Sequence, residues 1–239
     1  MQSKTILAAL LFLGCFQTGK VKASSLEISP LTVNLLPGQK VTTIEVTNRG
    51  GSPVAIQIRA YGWTQQGKED VLTPTPDLIL SPPIFTIPEG VSQTIRLMLR
   101  GETAAIDERS YRLLIDEVPS ANIDDQQVAI AMRVSLPMIA ATASAASREL
   151  QWHAKRGPGN QILLSATNPG QTHDKVAEIV VTLPDGTHPK AVASGTNPYV
   201  LAGAQRYWVV EDGRVPTGML RLSVTTKAGN DEHNLAVAP

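Results

Sequence analysis

Apolar residues alternate with small or polar ones along much of this chain, and a period of two indicates β-strands with one buried face. The clearest example, residues 127–137, reads QVAIAMRVSLP. Its apolar face consists of Val128, Ile130, Met132, Val134 and Leu136. The run is longer than most strands. This raises the question of whether the whole face serves the core of its own domain or part of it serves another protein.

Similar segments rich in branched residues predict an all-β protein. They are residues 26–36, 40–48, 54–63, 91–100, 111–118 and 127–139, followed by 150–154, 162–167, 176–183, 206–211 and 220–226. Turn signals separate them, including Pro37-Gly38 and the hairpin dipeptides Asp185-Gly186 and Asp212-Gly213, which suit a positive φ. Short strands at this spacing favour a β-sandwich fold.

A stretch of small residues, AATASAAS at 140–147, interrupts the strand pattern and has the composition of a bend or linker. Strands resume beyond it, and no long segment on either side has helical periodicity. We therefore expect two β-sandwich domains that divide near Ala145, with boundaries at residues 24–143 and 144–239.

The first 23 residues have the layout of a secretory signal peptide. Lys4 supplies a positive start, residues 6–16 form an apolar stretch too short to span a bilayer, and Val21-Lys22-Ala23 is a small-residue exit. We place the cut after Ala23. The alternative is a lipoprotein signal, because Leu13-Gly14-Cys15 loosely resembles a lipoprotein cleavage site and would leave Cys15 lipidated.

Removal of this signal changes the charge of the chain. The full sequence has 21 basic and 21 acidic residues, and residues 1–23 contain three lysines and no acid, so the mature net charge is −3. A bulk positive field that would attract nucleic acid or anionic lipid is therefore not expected. No later segment is apolar enough to insert into a membrane. The only cysteine, Cys15, leaves with the signal, so we expect no disulfide.

The residues that carry chemistry form no recognisable catalytic or metal-binding pattern. The four histidines, His153, His173, His188 and His233, are widely spaced and do not match the spacing of metal ligands. The pair His173-Asp174 follows Asn168-Pro169-Gly170, and we interpret it as a solvated turn. A phosphate loop and a nucleophile elbow are absent from the sequence. We expect no catalytic residue, no metal and no cofactor.

Several stretches in order resemble one family, the periplasmic pilus chaperones of the chaperone–usher pathway. They are ISPLTVNLLPGQKVTTIEVTN, SPPIFTIPEGVSQTIRL and YRLLIDEVP, followed by a short loop and the run at 127–137. The resemblance covers nearly all of the chain after the signal. It implies two immunoglobulin-like sandwiches in a boomerang arrangement, a periplasmic location, and two partners: incomplete pilus subunits and an outer-membrane usher. A free chaperone of this kind can also self-associate through its exposed strand.

The resemblance also implies a role for the strand at 127–137. Chaperones of this family lend a strand to a subunit that lacks its own, which fills an apolar groove and pairs an open sheet edge. We therefore expect Val134 and Leu136 to face this protein's own core. We expect Val128, Ile130 and Met132 to serve the subunit, Met132 because its unbranched thioether adapts to imperfect fits. The alternative is that all five are ordinary core residues.

The chain departs from the family at the residues that clamp the subunit's terminal carboxylate. Well-studied members have an Arg on the first strand and a Lys on a later one. Here the first-strand region reads Ser29-Pro30-Leu31-Thr32, and no Lys stands near Tyr111-Arg112, which resembles the archaic (Csu-type) branch. On the strand at 111–118, Tyr111, Leu113 and Ile115 should face the core, which puts Arg112 on the opposite face. Arg133 likewise opposes the apolar face of its strand, so we expect Arg112 and Arg133 to anchor the carboxylate. In the free protein we expect Arg112 to lie in an open, solvated cleft. The alternative is a surface Arg in a cross-strand pair with Asp or Glu.

Three functions of different classes remain from the sequence. The first is a non-enzymatic periplasmic chaperone of pilus subunits. The second is an exported structural or adhesive protein built from tandem immunoglobulin-like domains, in which the long strand is internal and fully paired. The third, a hydrolase on a sandwich scaffold, has no residue constellation to support it.

Overall fold

The computed structural model describes residues 25–101, 108–119, 131–141, 149–193, 197–210, 218–227 and 229–239. Within these ranges the chain is all-β and contains no α-helix, as predicted. The first ten strands are β1 (Leu26–Ser29), β2 (Val33–Leu35), β3 (Val41–Asn48), β4 (Val54–Gln66), β5 (Glu69–Pro74), β6 (Leu78–Ser81), β7 (Ile84–Ile87), β8 (Ser92–Leu99), β9 (Arg109–Val118) and β10 (Arg133–Ala140). The remaining strands are β11 (Gln151–Arg156), β12 (Ile162–Thr167), β13 (Asp174–Lys175), β14 (Glu178–Thr182), β15 (Ala191–Ala193), β16 (Tyr199–Val200), β17 (Gln205–Val210), β18 (Met219–Thr225) and β19 (Asn230–Ala238).

The first ten strands form two sheets that pack face to face. One sheet has the order β1-β3-β8-β6, and the other has the order β2-β10-β9-β4-β5, with β7 also paired to β4. Alternate residues of both sheets point into one shared core, because a strand directs successive side chains to opposite faces. The core includes Val46, Ile56, Ile95, Leu97 and Leu113, none of which is exposed. This is the β-sandwich that the alternation predicts.

The other nine strands enclose a second core. Seven of them follow the path β14-β18-β19-β11-β12-β17-β15, and β13 pairs with β16. Two tryptophans belong to this core, Trp152 on β11 and Trp208 on β17, with ring centroids 5.1 Å apart. Large rings supply much of the apolar area that such a core buries.

A third, smaller cluster joins the two sandwiches. Trp63 of β4 and Ile139 of β10 pack against Tyr199, Leu201 and Ala204 from the second half of the chain. The rings of Trp63 and Tyr199 meet edge to face with centroids 5.5 Å apart. Trp63 and Ile139 lie on the outer face of the first sandwich, so the second sandwich covers this end of the sheet.

The observed strands differ from the predicted ones in identifiable places. The segment 26–36 is two strands, since residues 30–32 bend the chain from one sheet to the other. The strands that are not among the predicted segments are β5, β6, β7, β13, β15, β16 and β19. β6 and β7 are four residues each and flank Pro82-Pro83, and β19 is rich in polar residues. The hairpin glycine Gly186 has φ 82°, as expected, whereas Asp212-Gly213 lies outside the described residues.

Candidate subunit-binding edge

The strand β10 has one edge that is only partly covered. On one side it pairs with β9 over its whole length, from Arg133 to Ala140. On the other side it pairs with β2, in parallel, only from Met138 to Ala140. Among the described residues, therefore, no strand pairs with the edge from Arg133 to Pro137. An uncovered edge of this kind is a template for a strand from another chain.

The backbone groups that face this edge follow from the ladder with β9. The N–H of Glu117 donates to the carbonyl of Met132 at 2.9 Å, which fixes the alternation of antiparallel pairs. Val134 and Leu136 then direct their backbone groups to β9, whereas Arg133 and Ser135 direct theirs to the open edge. Pro137, which has no N–H, falls at an edge-facing position, the kind of place where a sheet tolerates proline.

Val134 and Leu136 of β10 face the core of the first sandwich, as expected. Leu136 is 3 % exposed in the core of the first sandwich, and Val134 packs against that core while partly buried. Met132 precedes β10 and is half-buried. Val128 and Ile130, the other two residues assigned to the subunit, lie outside the described residues. The predicted strand at 127–139 is thus observed from Arg133 and continues one residue further, to Ala140.

On the outer face of the sheet, two arginines hold one aspartate. Asp116 of β9 lies directly opposite Arg133 of β10. The Nε of Arg133 donates to Oδ1 of Asp116. Oδ2 accepts a hydrogen bond of 2.6 Å from the terminal nitrogen of Arg59, on β4. Burial opposes ionisation of Asp116, but the hydrogen bonds from Arg133 and Arg59 outweigh it and hold the pKa of the carboxyl below its usual value.

This arrangement bears on two of the sequence predictions. Arg133 lies on the face opposite the apolar side of its strand, as expected, and its side chain is 63 % exposed. It forms the cross-strand pair that was the alternative to an anchor role. Arg59 was not among the predicted site residues. Strand alternation could have found it, because β4 carries Arg59, Tyr61 and Trp63 on one face.

Arg112 lies where the alternation places it, but its environment differs from the expectation. Tyr111, Leu113 and Ile115 face the core, so Arg112 points to the outer face. The expectation of an open, solvated cleft is wrong, since Arg112 is only 9 % exposed. Its Cζ lies 3.8 Å from the centroid of the Trp63 ring, a cation–π contact. Burial lowers the pKa of Arg112, and the nearby charge of Asp70 opposes that effect.

Arg112 and Arg133 do not converge on one point. Arg112 is opposite Pro137 and Arg133 is opposite Asp116, which places them at the two ends of the uncovered edge. At about 3.3 Å per residue, four residues of strand correspond to roughly 13 Å. Arg133 is engaged with Asp116 and Arg112 with Trp63.

Polar contacts across the junction surround the end where Arg112 lies. Gln65 of β4 reaches the second sandwich with both ends of its amide: Nε2 donates to the carbonyl of Tyr199 and Oε1 accepts from the N–H of Leu201, each at 3.0 Å. Arg206, which is 2 % exposed, donates to Oδ1 of Asp70 at 3.3 Å. These contacts fix the second sandwich beside the end of the sheet that carries Arg112.

A second junction contact corrects the interpretation of His173 as part of a solvated turn. Its side chain is 9 % exposed and that of Glu108 is 4 % exposed. Nδ1 of His173 lies 2.7 and 2.9 Å from the two carboxylate oxygens of Glu108, whose Oε1 also accepts from the backbone N–H of His173. The His173 side chain is buried because it packs against Glu108, just before β9, a contact that sequence alone does not reveal. Asp174, the other half of the pair, is buried as well.

The part of the chain that the structure describes contains neither a candidate metal cluster nor a candidate membrane span. No group of three or more His, Cys, Asp or Glu side chains there could hold a metal ion. The same residues form no helix that is long and apolar enough to cross a bilayer.

Comparisons with known proteins give the family. Residues 25–143 match the family of pili and flagellar-assembly chaperones, PapD N-terminal domain. No curated protein matches the chain. Among solved structures, the chain is similar to the CsuC–CsuE chaperone–tip adhesion subunit pre-assembly complex from archaic chaperone-usher Csu pili of Acinetobacter baumannii. The TM-score is 0.66 at 22 % identity, and the match covers 90 % of this chain and 100 % of the other.

Two further structures show the same fold. The Salmonella enterica SafA pilin in complex with the SafB chaperone gives a TM-score of 0.60 at 19 % identity, covering 90 % of this chain and 98 % of the other. The Escherichia coli chaperone DraB gives 0.58 at 16 % identity, covering 90 % and 97 %. With its N-terminal domain matched to the family and both sandwiches matched in fold, the chain belongs to the PapD-like pilus chaperones.

Proposed function

We propose that this protein is a periplasmic chaperone that holds a pilus subunit by lending it a strand and then delivers it to an outer-membrane usher. Export would follow from the signal at residues 1–23, and other chaperones of the family are periplasmic. The solved structures of similar fold include chaperones in complex with a tip adhesion subunit and with a pilin. These support a pilus subunit as the partner, and the Csu-type likeness supports the archaic branch.

The observation that carries the proposal is the uncovered edge of β10. A subunit strand laid along Arg133 to Pro137 would pair with the backbone groups of Arg133 and Ser135, and the apolar residues Val128, Ile130 and Met132 would fill the subunit's groove. Backbone pairing supplies affinity and the alternate side chains supply specificity in this mode of recognition. The alternative, a tandem structural protein, requires this strand to be internal and fully paired, so the uncovered edge supports the chaperone.

The position of β2 supports an end point for the subunit strand. β2 occupies the same edge from Met138 onward and runs parallel to β10. A subunit strand in the same direction would end beside Pro137, whose cross-strand neighbour is Arg112. Arg112 is therefore our anchor for the terminal carboxylate, with Trp63 supporting its guanidinium group. A buried carboxylate requires such a partner, because an unpaired buried charge is strongly unfavourable.

Co-purification of a co-expressed pilus subunit tests this function. Met132→Asp should abolish recovery of the subunit, since a charge would enter an apolar groove, while the free chaperone stays folded. Arg112→Met keeps the packing on Trp63 but removes the charge, and it should weaken the complex by about 2–5 kcal/mol. Arg96→Met, on the exposed face of β8 in the other sheet, is the matched control.

Three results would refute these assignments. If the wild-type protein recovers no subunit, the chaperone function is wrong. If Met132→Asp unfolds the free protein, Met132 belongs to the core and not to the donated face. Full recovery with Arg112→Met would show that backbone amides hold the carboxylate instead.

A further inference from the structure

The cluster of Arg59, Asp116 and Arg133 has an unbalanced charge. Two guanidinium groups share one carboxylate, so the cluster carries a net charge of +1. The Nε of Arg59 is buried, and none of the described residues offers it a hydrogen-bond acceptor. The hydrogen bond to Asp116 raises the pKa of Arg59, so Arg59 stays charged.

The cluster lies beside the edge that the subunit strand would occupy. Arg133 belongs to β10 itself, directs its backbone to that edge, and has a side chain that is 63 % exposed. A neighbouring strand places its side chains about 5 Å from those directly opposite, so a residue of the subunit strand would meet Arg133 on the outer face. Asp116 neutralises only one of the two positive charges, so one positive charge remains for a further acceptor.

We propose that Arg59, Arg133 and Asp116 form a site for an acidic side chain of the subunit, separate from the site of its terminal carboxylate. This inference rests on the proposed function. Because Arg133 and Arg112 lie at opposite ends of the uncovered edge, the acidic residue would precede the subunit's C-terminus by about four residues. A carboxylate there would accept from the exposed Arg133 side chain and would neutralise the net charge of the cluster. The site would thereby select subunits by the charge of their last strand.

Charge reversal across the interface tests this inference. Arg133→Glu should weaken the complex about tenfold, because it removes an attraction and adds a repulsion at a partly exposed pair. Asp116→Asn should have the opposite effect and strengthen the complex, because it frees both guanidinium groups. Both effects should shrink at high salt, since exposed charges are screened. Arg96→Glu is the control, because it makes the same charge change on the other sheet.

The decisive arm changes the subunit as well. Replacing the acidic residue near its C-terminus with Lys should weaken binding to the wild-type chaperone and restore binding to Arg133→Glu. The inference is overturned if no acidic residue stands near that position, or if the effect of Arg133→Glu is the same with either subunit. The inference is also overturned if the Asp116→Asn variant binds the subunit less tightly than the wild type does, although thermal unfolding shows that the variant is folded. In each of these cases, the wild-type protein would still recover the subunit, which supports the chaperone function. Failure of the acidic-residue site can therefore be distinguished from failure of the chaperone function.

Discussion

A proline scan along β10 separates the edge that faces β9 from the edge that would face a subunit. Val134 and Ser135 are neighbours, but their backbone N–H groups point in opposite directions. Val134→Pro removes a hydrogen bond to Ile115 inside the sheet. Ser135→Pro removes an N–H from the uncovered edge, which has no partner strand among the described residues at that position. Pro137 shows that this strand already accepts proline at an edge-facing position.

The two substitutions should therefore differ in what they destabilise. Val134→Pro leaves a buried carbonyl without its donor, which costs about 1–3 kcal/mol, and the ring adds strain inside the ladder. Ser135→Pro should change the free energy of unfolding by less than about 1 kcal/mol, because no hydrogen bond within the sheet is lost. In the complex it removes one ladder hydrogen bond, worth about 0.5–1.5 kcal/mol, and its ring obstructs the incoming strand. Since 1.4 kcal/mol is a factor of ten, the lost hydrogen bond alone should weaken binding about 2- to 12-fold, and the obstruction by the ring should add to this loss.

Two measurements on each variant check this prediction. Urea unfolding of the free protein gives its stability, and exchange of a bound subunit onto differently tagged wild-type chaperone gives the stability of the complex. Ser135→Pro should be stable but poor at holding a subunit, and Val134→Pro should be unstable even when free. If Ser135→Pro holds the subunit as well as the wild type does, the subunit does not pair with this edge, and the donor-strand proposal loses its structural basis.

Two further predictions concern groups whose pKa differs from its usual value. The pKa of Asp116 is lowered, so the ionised carboxylate should stabilise the fold above pH 3.8, and this effect should be lost as the pH falls through the lower folded-state pKa. The free energies of unfolding in urea of the wild type and of Asp116→Asn should therefore become equal in acid. A difference that stays constant with pH would contradict this. Burial raises the pKa of Tyr111 to about 12, and its hydroxyl donates to Asp77 at 3.1 Å. The buried neutral phenol should therefore stabilise the fold below about pH 10, and this effect should be lost as the pH rises towards 12. Tyr111→Phe should be less sensitive to alkaline pH in the same assay, and equal loss in both proteins would show that other groups dominate.

The sequence predicts well those features that depend on one strand at a time. Alternation along β9 places Tyr111, Leu113 and Ile115 in the core and Arg112 on the opposite face, and the structure confirms this. The same reasoning places Leu136 in the core of its own sandwich. A strand with one buried face imposes this pattern on its own residues, so no knowledge of the neighbouring strands is needed.

Features that depend on distant parts of the chain could not be predicted in this way. Alternation gives the face on which Arg112 lies, but its burial depends on Trp63 and on the second sandwich, which packs against that end of the sheet. His173 follows a turn signal and is polar, yet it is buried because Glu108 lies beside it. Strand β19 was missed because its half-buried positions carry residues such as Asp231 and His233, which resemble a loop in composition.

The three outer-face arginines are in two different electrostatic situations, and this difference suits two different tasks. Arg112 is buried at the end of the sheet against which the second sandwich packs. Few water molecules can compete there for its guanidinium group, so a carboxylate bound to Arg112 would be held strongly. Arg59 and Arg133 lie near the other end, where the Arg133 side chain is mostly exposed and Asp116 already neutralises part of their charge. An interaction there would be weaker, screened by salt and rapidly reversible. A chaperone must hold its subunit and later release it, and a strong anchor at one end with a weak, adjustable contact at the other would allow the subunit strand to be released starting from the weaker end.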